Sequence, residues 1–379
     1  MKKSKIMIVD DHQVNRLLLA KAFKDENYET ISVESGEKTL EILETEIPDL
    51  IILDVMMPGL DGFEVCKRLK ANPLTFEIPI IFLTALNDKK SRIEGLKLGA
   101  VDFISKPFDI FEIKLRVKQQ LKMRELYMKI RKYNESVSKE LNSARKLQMS
   151  ILPDSNIQLN DELEFSFEYL PCDSLGGDFL DILKLDENKY CFYLADVSGH
   201  GVASSLVTIY LKLFFQKFKM LENFNKTSSE IIGLLNKDFR SISFGEKYLT
   251  IFVGILNLED YSINWSFAGP NTIPLIIGSD KIEELKSSGI PVGWFNDSEW
   301  EDQYTKLEKN KTLLLYSDAA IEIKDSDDNM LQVEGLKSIL NKINFYENPT
   351  YYSIVNELLE YSNKLNFDDD LTFLSLRRN

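Results

Sequence analysis

From Lys5 to Leu121, short apolar runs alternate with segments whose apolar residues recur at helical spacing. Leu17, Leu18 and Phe23 illustrate the helical spacing between the runs. The runs themselves are Ile6–Val9, Glu29–Val33, Leu50–Leu53, Ile78–Leu83 and Val101–Ile104. Strands that alternate with helices in this way predict an α/β domain, a doubly wound five-stranded parallel sheet with helices on both faces.

A second pattern follows, in which residues 112–150 contain no glycine or proline and predict one long helix. Along this helix, residues return to one face in steps of four and three, with one extra step of four. These positions are Leu126, Ile130, Tyr133, Val137, Leu141, Ala144, Gln148 and Ile151. We interpret them as the seam of a helical coiled-coil linker that forms a parallel homodimer. The alternative is a solvated helix packed on its own chain.

The pattern changes again after Leu152-Pro153, where longer strand-like runs are interrupted by helical segments. The strand-like runs are Leu163–Tyr169, Phe179–Leu185, Tyr190–Val197, Leu249–Leu258, Ile263–Phe267, Thr312–Tyr316 and Leu371–Leu376. The helical segments are Ala203–Phe218, Ser229–Ile242, Val333–Ile343 and Tyr351–Leu365. This succession predicts an α+β sandwich of two sheets flanked by helices.

Length and composition support this division into parts. The 379 residues exceed one ordinary core, and a hydrophobic content of 44% indicates a folded chain. We therefore predict three segments, covering residues 1–122, 123–153 and 154–379. The net charge of −14 argues against nucleic acid as a ligand. Residues 112–150 hold eleven Lys or Arg against four Glu, and we interpret this basic charge as solvating the helix.

Targeting signals and cysteine chemistry add little. The apolar run Ile6–Val9 is too short for a secretory signal, and no stretch approaches the roughly 18 apolar residues of a membrane span. The three cysteines match no disulfide or metal-binding pattern. We expect a reduced, cytoplasmic protein without a membrane partner. With His12 and His200 as its only histidines, the chain cannot build a histidine-rich zinc site.

Polar residues cluster where the strands of the first domain end. Asp10, Asp11, Asp54, Thr84 and Lys106 all follow or close an apolar run. Ligands of such sheets bind at the carboxyl ends of the strands, so these side chains should converge. Grouped carboxylates favour a hard cation such as Mg²⁺, and a hydroxyl with an ammonium suits a phosphoryl group on Asp54.

These residues lie in motifs that resemble a response-regulator receiver domain. The motifs are Ile8-Val9-Asp10-Asp11, Leu53-Asp54-Val55-Met56-Met57-Pro58, Thr84-Ala85 and Ser105-Lys106-Pro107. The resemblance implies that Asp54 accepts a phosphoryl group from a sensor histidine kinase or phosphotransfer protein. It also implies that Mg²⁺ is held by Asp54 together with Asp10, Asp11 and the Met56 carbonyl. Thr84 and Lys106 would sense the phosphoryl group, and Phe103 would be the aromatic switch. A cis peptide bond before Pro107 is expected for the same reason.

Acidic residues and glycines also mark the strand ends of the last segment. They occur in Gly176-Gly177-Asp178, Ala195-Asp196-Val197-Ser198-Gly199-His200-Gly201, Tyr316-Ser317-Asp318 and Asp368-Asp369-Asp370-Leu371-Thr372. Four separated carboxylates suit a site for two divalent cations, and oxygen ligands select Mg²⁺ or Mn²⁺ over zinc. Two such ions activate water for phosphoryl transfer.

With Ala144–Gln148, Leu152-Pro153 and Gly289–Gly293, these motifs resemble a PPM-type serine/threonine phosphatase of the SpoIIE-like branch. The resemblance implies a two-ion Mn²⁺ or Mg²⁺ site. In it, Asp196 bridges both ions and the Val197 carbonyl joins the first. Asp178 lies beside the first ion, directly or through water, and Asp318 and Asp369 hold the second. Asp370 is the alternative to Asp369. The implied substrate is a phosphorylated STAS-type anti-sigma-factor antagonist.

Two departures from the family pattern stand out, namely Ala319 where glycine is usual and Ala268-Gly269-Pro270-Asn271 where Gly-His-x-Pro is common. A non-catalytic adaptor with a degenerate phosphatase fold is therefore the alternative function. A cyclic-dinucleotide synthase, suggested by Gly176–Phe179, is rejected because its catalytic Glu is missing. We expect His200 to fix its loop. We further expect phosphorylation of Asp54 to stabilise a dimer and raise activity, with inhibition as the alternative.

Overall fold

The structure is a computed structural model that describes residues 3–84, 93, 95–199, 201–219, 225–242, 244–269, 273–286 and 288–379. It divides into two compact units, Met1–Val137 and Ser138–Asn379. Within the described ranges, no helix combines the length and the apolar character needed to cross a bilayer.

The first unit is built on a five-stranded parallel sheet with the strand order β2-β1-β3-β4-β5. Its strands are β1 Lys5–Val9, β2 Glu29–Val33, β3 Leu50–Asp54, β4 Ile80–Thr84 and β5 Asp102–Ser105. Its helices, as far as they are described, are α1 Gln13–Asp25, α2 Gly36–Leu43, α3 Gly62–Ala71 and the beginning of α4 Ile110–Ile151. Every residue of β3 and β4 is buried, because helices cover both faces. The predicted doubly wound α/β fold is confirmed.

The strand order places β1 beside β3, where the direction of winding reverses. Asp10 comes directly after β1, and Asp54 closes β3. The N-terminus of α3 lies tightly against β3, since a side chain at Gly62 would come within 2.2 Å of the Asp54 carbonyl oxygen. The fold thus forms a crevice at the carboxyl ends of the strands, where such sheets bind ligands.

Helix α4 runs unbroken for 42 residues, about 63 Å at the usual rise, and carries residues of both units. The long helix predicted over residues 112–150 is therefore present. Leu126, Ile130 and Tyr133 of the heptad stripe are 44%, 60% and 70% exposed. Pairing of this stripe with a second copy stays a prediction.

The second unit contains two antiparallel sheets with the strand orders β14-β11-β10-β9-β8 and β13-β12-β15-β16-β7-β6. Its strands are β6 Asn156–Asn160, β7 Leu163–Leu170, β8 Asp178–Lys184, β9 Lys189–Val197, β10 Leu249–Asn257, β11 Ser262–Ala268, β12 Leu275–Ile277, β13 Ile282–Glu284, β14 Gln303–Lys306, β15 Lys311–Tyr316 and β16 Leu371–Arg378. Its described helices, besides the end of α4, are α5 Val202–Lys219, α6 Ser228–Ile242, α7 Ala319–Glu322, α8 Gln332–Lys342 and α9 Tyr351–Ser362.

Alternate residues of each strand serve two different cores. On β9, Phe192 and Leu194 join the layer between the sheets, whereas Cys191 and Tyr193 face helices α5 and α6. Helices α7, α8 and α9 pack on the outer face of the other sheet. The predicted α+β sandwich is confirmed, and both sheets direct strand ends toward the acidic motifs.

Candidate functional site

The receiver pocket is organised around one ammonium group and two buried carboxylates. Lys106, which follows β5, places its Nζ 2.9 Å from Asp10 Oδ2 and 2.6 Å from Asp54 Oδ2. Burial raises the pKa of Asp54, while the hydrogen bond from Lys106 opposes that rise. Burial also disfavours the charged form of Lys106, but hydrogen bonds to Asp54 and Asp10 outweigh it and raise its pKa.

A cation site lies in the same pocket. Asp10, Asp11, His12 and Asp54 each offer a ligand atom, and these atoms lie within 4.8 Å of one another. The Asp10 carboxylate is oriented by Asn15, whose Nδ2 donates to both of its oxygens at 3.1 and 3.0 Å. Three carboxylates with this spacing fit a hard divalent cation, which agrees with the Mg²⁺ prediction.

The remaining predicted receiver residues surround this pocket. The backbone N–H of Met56 donates to Asp54 Oδ1 at 3.3 Å. Thr84 is buried at the end of β4, and Phe103 is half-buried on β5. The Lys106–Pro107 peptide bond is cis, as predicted. Ala85 of the predicted motif lies outside the described residues. The assigned roles of Met56, Thr84 and Phe103 stay predictions.

In the second unit, two predicted ligands face each other across a pair of strands. Asp178 opens β8 and is the direct register partner of Asp196 on β9. Asp178 is buried, and the Thr372 hydroxyl donates to its Oδ2 at 2.5 Å. Like charges directly opposite on adjacent strands destabilise a sheet. A bound cation would relieve this repulsion.

The other sheet brings two further acids to the same place. Asp318 follows β15, and Asp369 lies just before the neighbouring strand β16. Asp196, Asp318 and Asp369 line one cleft of about 280 Å³. The structure thus unites three of the predicted acids, although they lie far apart in the sequence.

Burial and mutual repulsion disfavour the charged forms of the carboxylates in and beside this cleft. Burial raises the pKa of Asp196 to about 8, and the nearby Asp318 and Asp369 carboxylates add to the rise. Burial, with Glu322 and Asp369, raises the pKa of Asp318 to about 6. Burial and repulsion from Asp196 raise the pKa of Asp178 well above its usual value. Clustered carboxylates of this kind fit Mg²⁺ or Mn²⁺.

Asp369 and Asp370 differ in their surroundings. Asp370 is buried and accepts hydrogen bonds from the backbone N–H groups of Gly177 at 2.6 Å and Cys172 at 2.8 Å. Asp369 is exposed and lines the cleft. The geometry favours Asp369 as the metal ligand. Asp370 instead holds the backbone of Gly176-Gly177, which we call the glycine loop. The ligand assignment itself stays a prediction.

The glycine loop closely approaches the strand end that carries the predicted carbonyl ligand. The backbone N–H of Val197 donates to the Gly177 carbonyl at 3.3 Å. A side chain at Gly177 would lie 2.8 Å from the Val197 carbonyl oxygen. Glycine is needed here because any larger residue would displace the predicted ligand.

Gln148 belongs to two patterns predicted from the sequence, the coiled-coil seam and the Ala144–Gln148 motif of the phosphatase resemblance. It is 3% exposed inside the second unit, which agrees with the second placement. Its Nε2 donates to the Gly176 carbonyl at 2.8 Å, and its Oε1 accepts from the Gly176 N–H at 3.3 Å. Ile151, the last position of the stripe, also packs against the core of that unit. A glutamine at an otherwise apolar position was the available signal.

One of the two departures from the family pattern, Ala319, has a mild structural consequence. Ala319 is buried and begins the short helix α7, a conformation that alanine adopts without strain.

Cys172 lies beside these acids, with its Sγ within 4.8 Å of a carboxylate oxygen of Asp369 and of Asp370, and burial raises the pKa of its thiol to about 12. It therefore remains a protonated thiol at neutral pH. His200, Pro270 and Asn271 lie outside the described residues.

Two protein families match this chain. Residues 6–118 match the response regulator receiver domain, and residues 186–379, just over half of the chain, match Stage II sporulation protein E (SpoIIE). The chain belongs to the SpoIIE family. Its first part is a response-regulator receiver domain, and its last part is a PPM-type phosphatase domain.

Curated relatives resemble the receiver part of this SpoIIE-family chain. Response regulator PleD of Caulobacter vibrioides (strain NA1000 / CB15N) is 43% identical over 115 residues, which are 30% of this chain and 25% of PleD. The alkaline phosphatase synthesis transcriptional regulatory protein PhoP of Bacillus subtilis (strain 168) is 44% identical over 122 residues, 32% of this chain and 50% of PhoP. The chain thus spans a quarter to a half of these relatives.

Solved structures resemble the SpoIIE-family part in fold. The SiaA-PP2C domain of Pseudomonas aeruginosa has a TM-score of 0.56 at 20% identity, covering 65% of this chain and 99% of that domain. The RsbU and RsbW domains of Rv1364c from Mycobacterium tuberculosis have a TM-score of 0.51 at 19% identity, covering 59% of this chain and 62% of that one. At these identities the likeness establishes the PP2C-like fold.

The raised carboxylate pKa values predict how the stability of the metal-free SpoIIE-family unit depends on pH. Asp196 and Asp318, with pKa values of about 8 and about 6, bind protons in the folded state that the unfolded chain has already released. Their contribution therefore makes the unit less stable as pH rises from about 4 to about 8. In EDTA, the melting temperature should fall over this range, and it should fall less in Asp196→Asn. If the melting temperature fell equally steeply with pH in the wild type and in Asp196→Asn, the proposed repulsion between these carboxylates would be contradicted.

Proposed function

We propose that this chain is a response regulator whose output is metal-dependent hydrolysis of phosphoserine or phosphothreonine on a partner protein. The observation that carries the proposal is the cleft in which Asp196, Asp318 and Asp369 converge from two sheets. The receiver pocket around Asp54 supports control by phosphorylation. The match to the SpoIIE family supports the phosphatase class.

The proposed phosphatase site holds two Mn²⁺ or Mg²⁺ ions. Asp196 would contact both, the Val197 carbonyl and Asp178 would serve the first, directly or through water in the case of Asp178, and Asp318 and Asp369 would serve the second. When bound, such ions lower the pKa of a water ligand and stabilise the charge of the transferred phosphoryl group. Around them, the hydroxyl of Thr372 orients the Asp178 carboxylate, as its 2.5 Å hydrogen bond indicates.

Control begins, in this proposal, when a sensor histidine kinase or phosphotransfer protein phosphorylates Asp54. Asp10, Asp11 and the Met56 carbonyl hold Mg²⁺ there, and Thr84, Lys106 and Phe103 respond to the phosphoryl group. Helix α4 begins at Ile110, shortly after Lys106, and continues without a break past Gln148. We propose that this helix dimerises through its exposed stripe and transmits the change, which raises phosphatase activity.

The proposed substrate is a phosphorylated STAS-type anti-sigma-factor antagonist. The match of residues 186–379 to the SpoIIE family supports this choice. We propose no nucleic-acid or membrane partner, because the chain is acidic.

Metal dependence is the first expected result. Purified protein should hydrolyse p-nitrophenyl phosphate and a phosphoserine peptide with Mn²⁺ or Mg²⁺, and EDTA should abolish the activity. Zinc should not restore it, because the predicted ligands are oxygens. Robust turnover with zinc would show that the ligand set is wrong. No turnover with any metal would favour the non-catalytic adaptor.

Regulation is tested by activity and molar mass in the same samples. Beryllofluoride, a mimic of phosphorylation, should raise the specific activity of the wild type. It should also shift the molar mass, measured by light scattering, toward that of a dimer. Asp54→Asn should not respond, because it lacks the acceptor carboxylate. A wild type that changes in neither quantity would refute control by the receiver, and a fall in activity would reverse the proposed sign.

A further inference from the structure

The cleft that contains the predicted metal ligands also has an aromatic side. Tyr248 and Trp294 line it together with Asp196, Asp318 and Asp369. Their ring centroids lie 5.2 Å apart at 69°, an edge-to-face contact, and Trp294 is 49% exposed. We call this pair the aromatic wall. Its exposed tryptophan contributes no oxygen ligand, so the hydrolysis of a bare phosphoester does not require it.

The backbone behind Trp294 is held in place by helix α6. Asn236, which is 2% exposed, accepts from the Gly293 N–H at 2.8 Å and donates to the Phe295 carbonyl at 2.9 Å. Arg240 Nη1 donates to the Trp294 carbonyl at 3.0 Å. Because this segment is ordered in advance, a ligand that contacts Trp294 loses little entropy in fixing it.

Tyr248 is linked to the metal-binding strand by two hydrogen bonds. The Ser198 N–H donates to the Tyr248 carbonyl at 2.9 Å, and the Tyr248 N–H donates to Ser198 Oγ at 3.1 Å. Ser198 directly follows Asp196 and Val197. The aromatic wall is therefore fixed relative to the acids that we predict to hold the catalytic ions.

We propose that the aromatic wall determines substrate specificity by binding a large apolar side chain next to the phosphorylated residue of the partner protein. The proposal rests on the phosphatase function proposed above. An extended peptide advances about 3.3 Å per residue, so the neighbours of a phosphoserine in this cleft come within reach of its walls. Exposed aromatic side chains on ordered backbone are typical centres of protein recognition.

Polarity makes the choice sharper. A leucine beside the phosphoserine would bury apolar surface against Trp294, whereas an aspartate would lose hydration against the same ring without gaining a partner. Leucine-flanked phosphopeptides should therefore be preferred over aspartate-flanked ones of the same length.

The test compares two fluorescent phosphoserine peptides that differ only in leucine or aspartate beside the phosphoserine. Binding is measured by fluorescence anisotropy with Mn²⁺, and hydrolysis is measured in parallel. In the full-length chain, Trp294→Ala should lower affinity and kcat/KM for the leucine peptide by about five- to tenfold, since it removes an aromatic contact. Trp294→Phe should retain most of both, and Trp294→Ala should lower p-nitrophenyl phosphate turnover by a smaller factor than turnover of the leucine peptide. Tyr352→Ala, an exposed aromatic on helix α9, is the matched control and should behave as wild type.

Equal binding of both peptides by the wild type would overturn the proposal. So would a Trp294→Ala variant that loses p-nitrophenyl phosphate turnover in the same proportion as the leucine peptide. If no substrate is hydrolysed at all, the proposed phosphatase function fails, while the anisotropy measurements still decide whether the wall selects apolar neighbours.

Discussion

Asp196→Asn and Asp369→Asn should each lower kcat for Mn²⁺-dependent phosphoester hydrolysis by about a thousandfold. Both carboxylates line the cleft, and each substitution removes one negative charge from the proposed two-ion site. Asparagine keeps the size of the side chain, so the fold should survive. Steady-state kinetics over a Mn²⁺ titration, with circular dichroism and thermal melting of each variant, provides the measurement.

The neighbouring acids supply controls for this experiment. Asp368 is exposed and paired with Lys364, so Asp368→Asn should retain wild-type kinetics. Asp370→Asn should chiefly loosen the glycine loop, since its carboxylate accepts the N–H groups of Gly177 and Cys172. Full activity in Asp196→Asn or Asp369→Asn would refute the two-metal assignment. A loss of Mn²⁺ affinity in Asp370→Asn with none in Asp369→Asn would exchange the roles of these two residues.

Gln148→Ala should lower activity by about ten- to a hundredfold and raise the Mn²⁺ concentration needed for half-maximal rate. The substitution leaves both backbone groups of Gly176 without their side-chain partner in a buried place, at a cost of about 1–3 kcal/mol for each unsatisfied group. Gly176 precedes Gly177 and Asp178, so the loss reaches the predicted first metal site. Because Gln148 lies on α4, the response to beryllofluoride should weaken as well.

Met149→Ala is the matched control for Gln148→Ala, because Met149 is the next residue on the same helix and is 42% exposed. It should leave the rate, the Mn²⁺ dependence and the beryllofluoride response as in wild type. A Gln148→Ala protein with normal kinetics and a normal response would show that this contact is only structural. Thermal melting of both variants separates loss of folding from loss of positioning.

The strand runs were predictable where burial is continuous. Leu50–Asp54 and Ile80–Thr84 are buried at every position, so their apolar runs mark them clearly in the sequence. Leu275–Ile277 and Gln303–Lys306 were missed, because each is only a few residues long and gives little pattern to detect. Long helices such as Ile110–Ile151 were visible from the absence of helix breakers.

The candidate site was predictable as a set of strand-end acids but not in its finer roles. Asp369 and Asp370 are adjacent in sequence, and only the folded structure distinguishes them, by the backbone N–H groups directed at Asp370 and by the exposure of Asp369 in the cleft. Gln148 fits a heptad position by spacing, yet its hydrogen bonds to Gly176 come from a loop 28 residues away. Such contacts depend on tertiary packing, which a periodic pattern along one helix does not encode.

The direct pairing of Asp178 with Asp196 also bears on the history of this domain. A lineage that had abandoned catalysis would gain stability by replacing either aspartate with a neutral residue, since nothing would then offset their repulsion. The presence of both aspartates, together with Asp318 and Asp369, therefore favours the proposed metal-dependent phosphatase over an adaptor that merely inherited the fold.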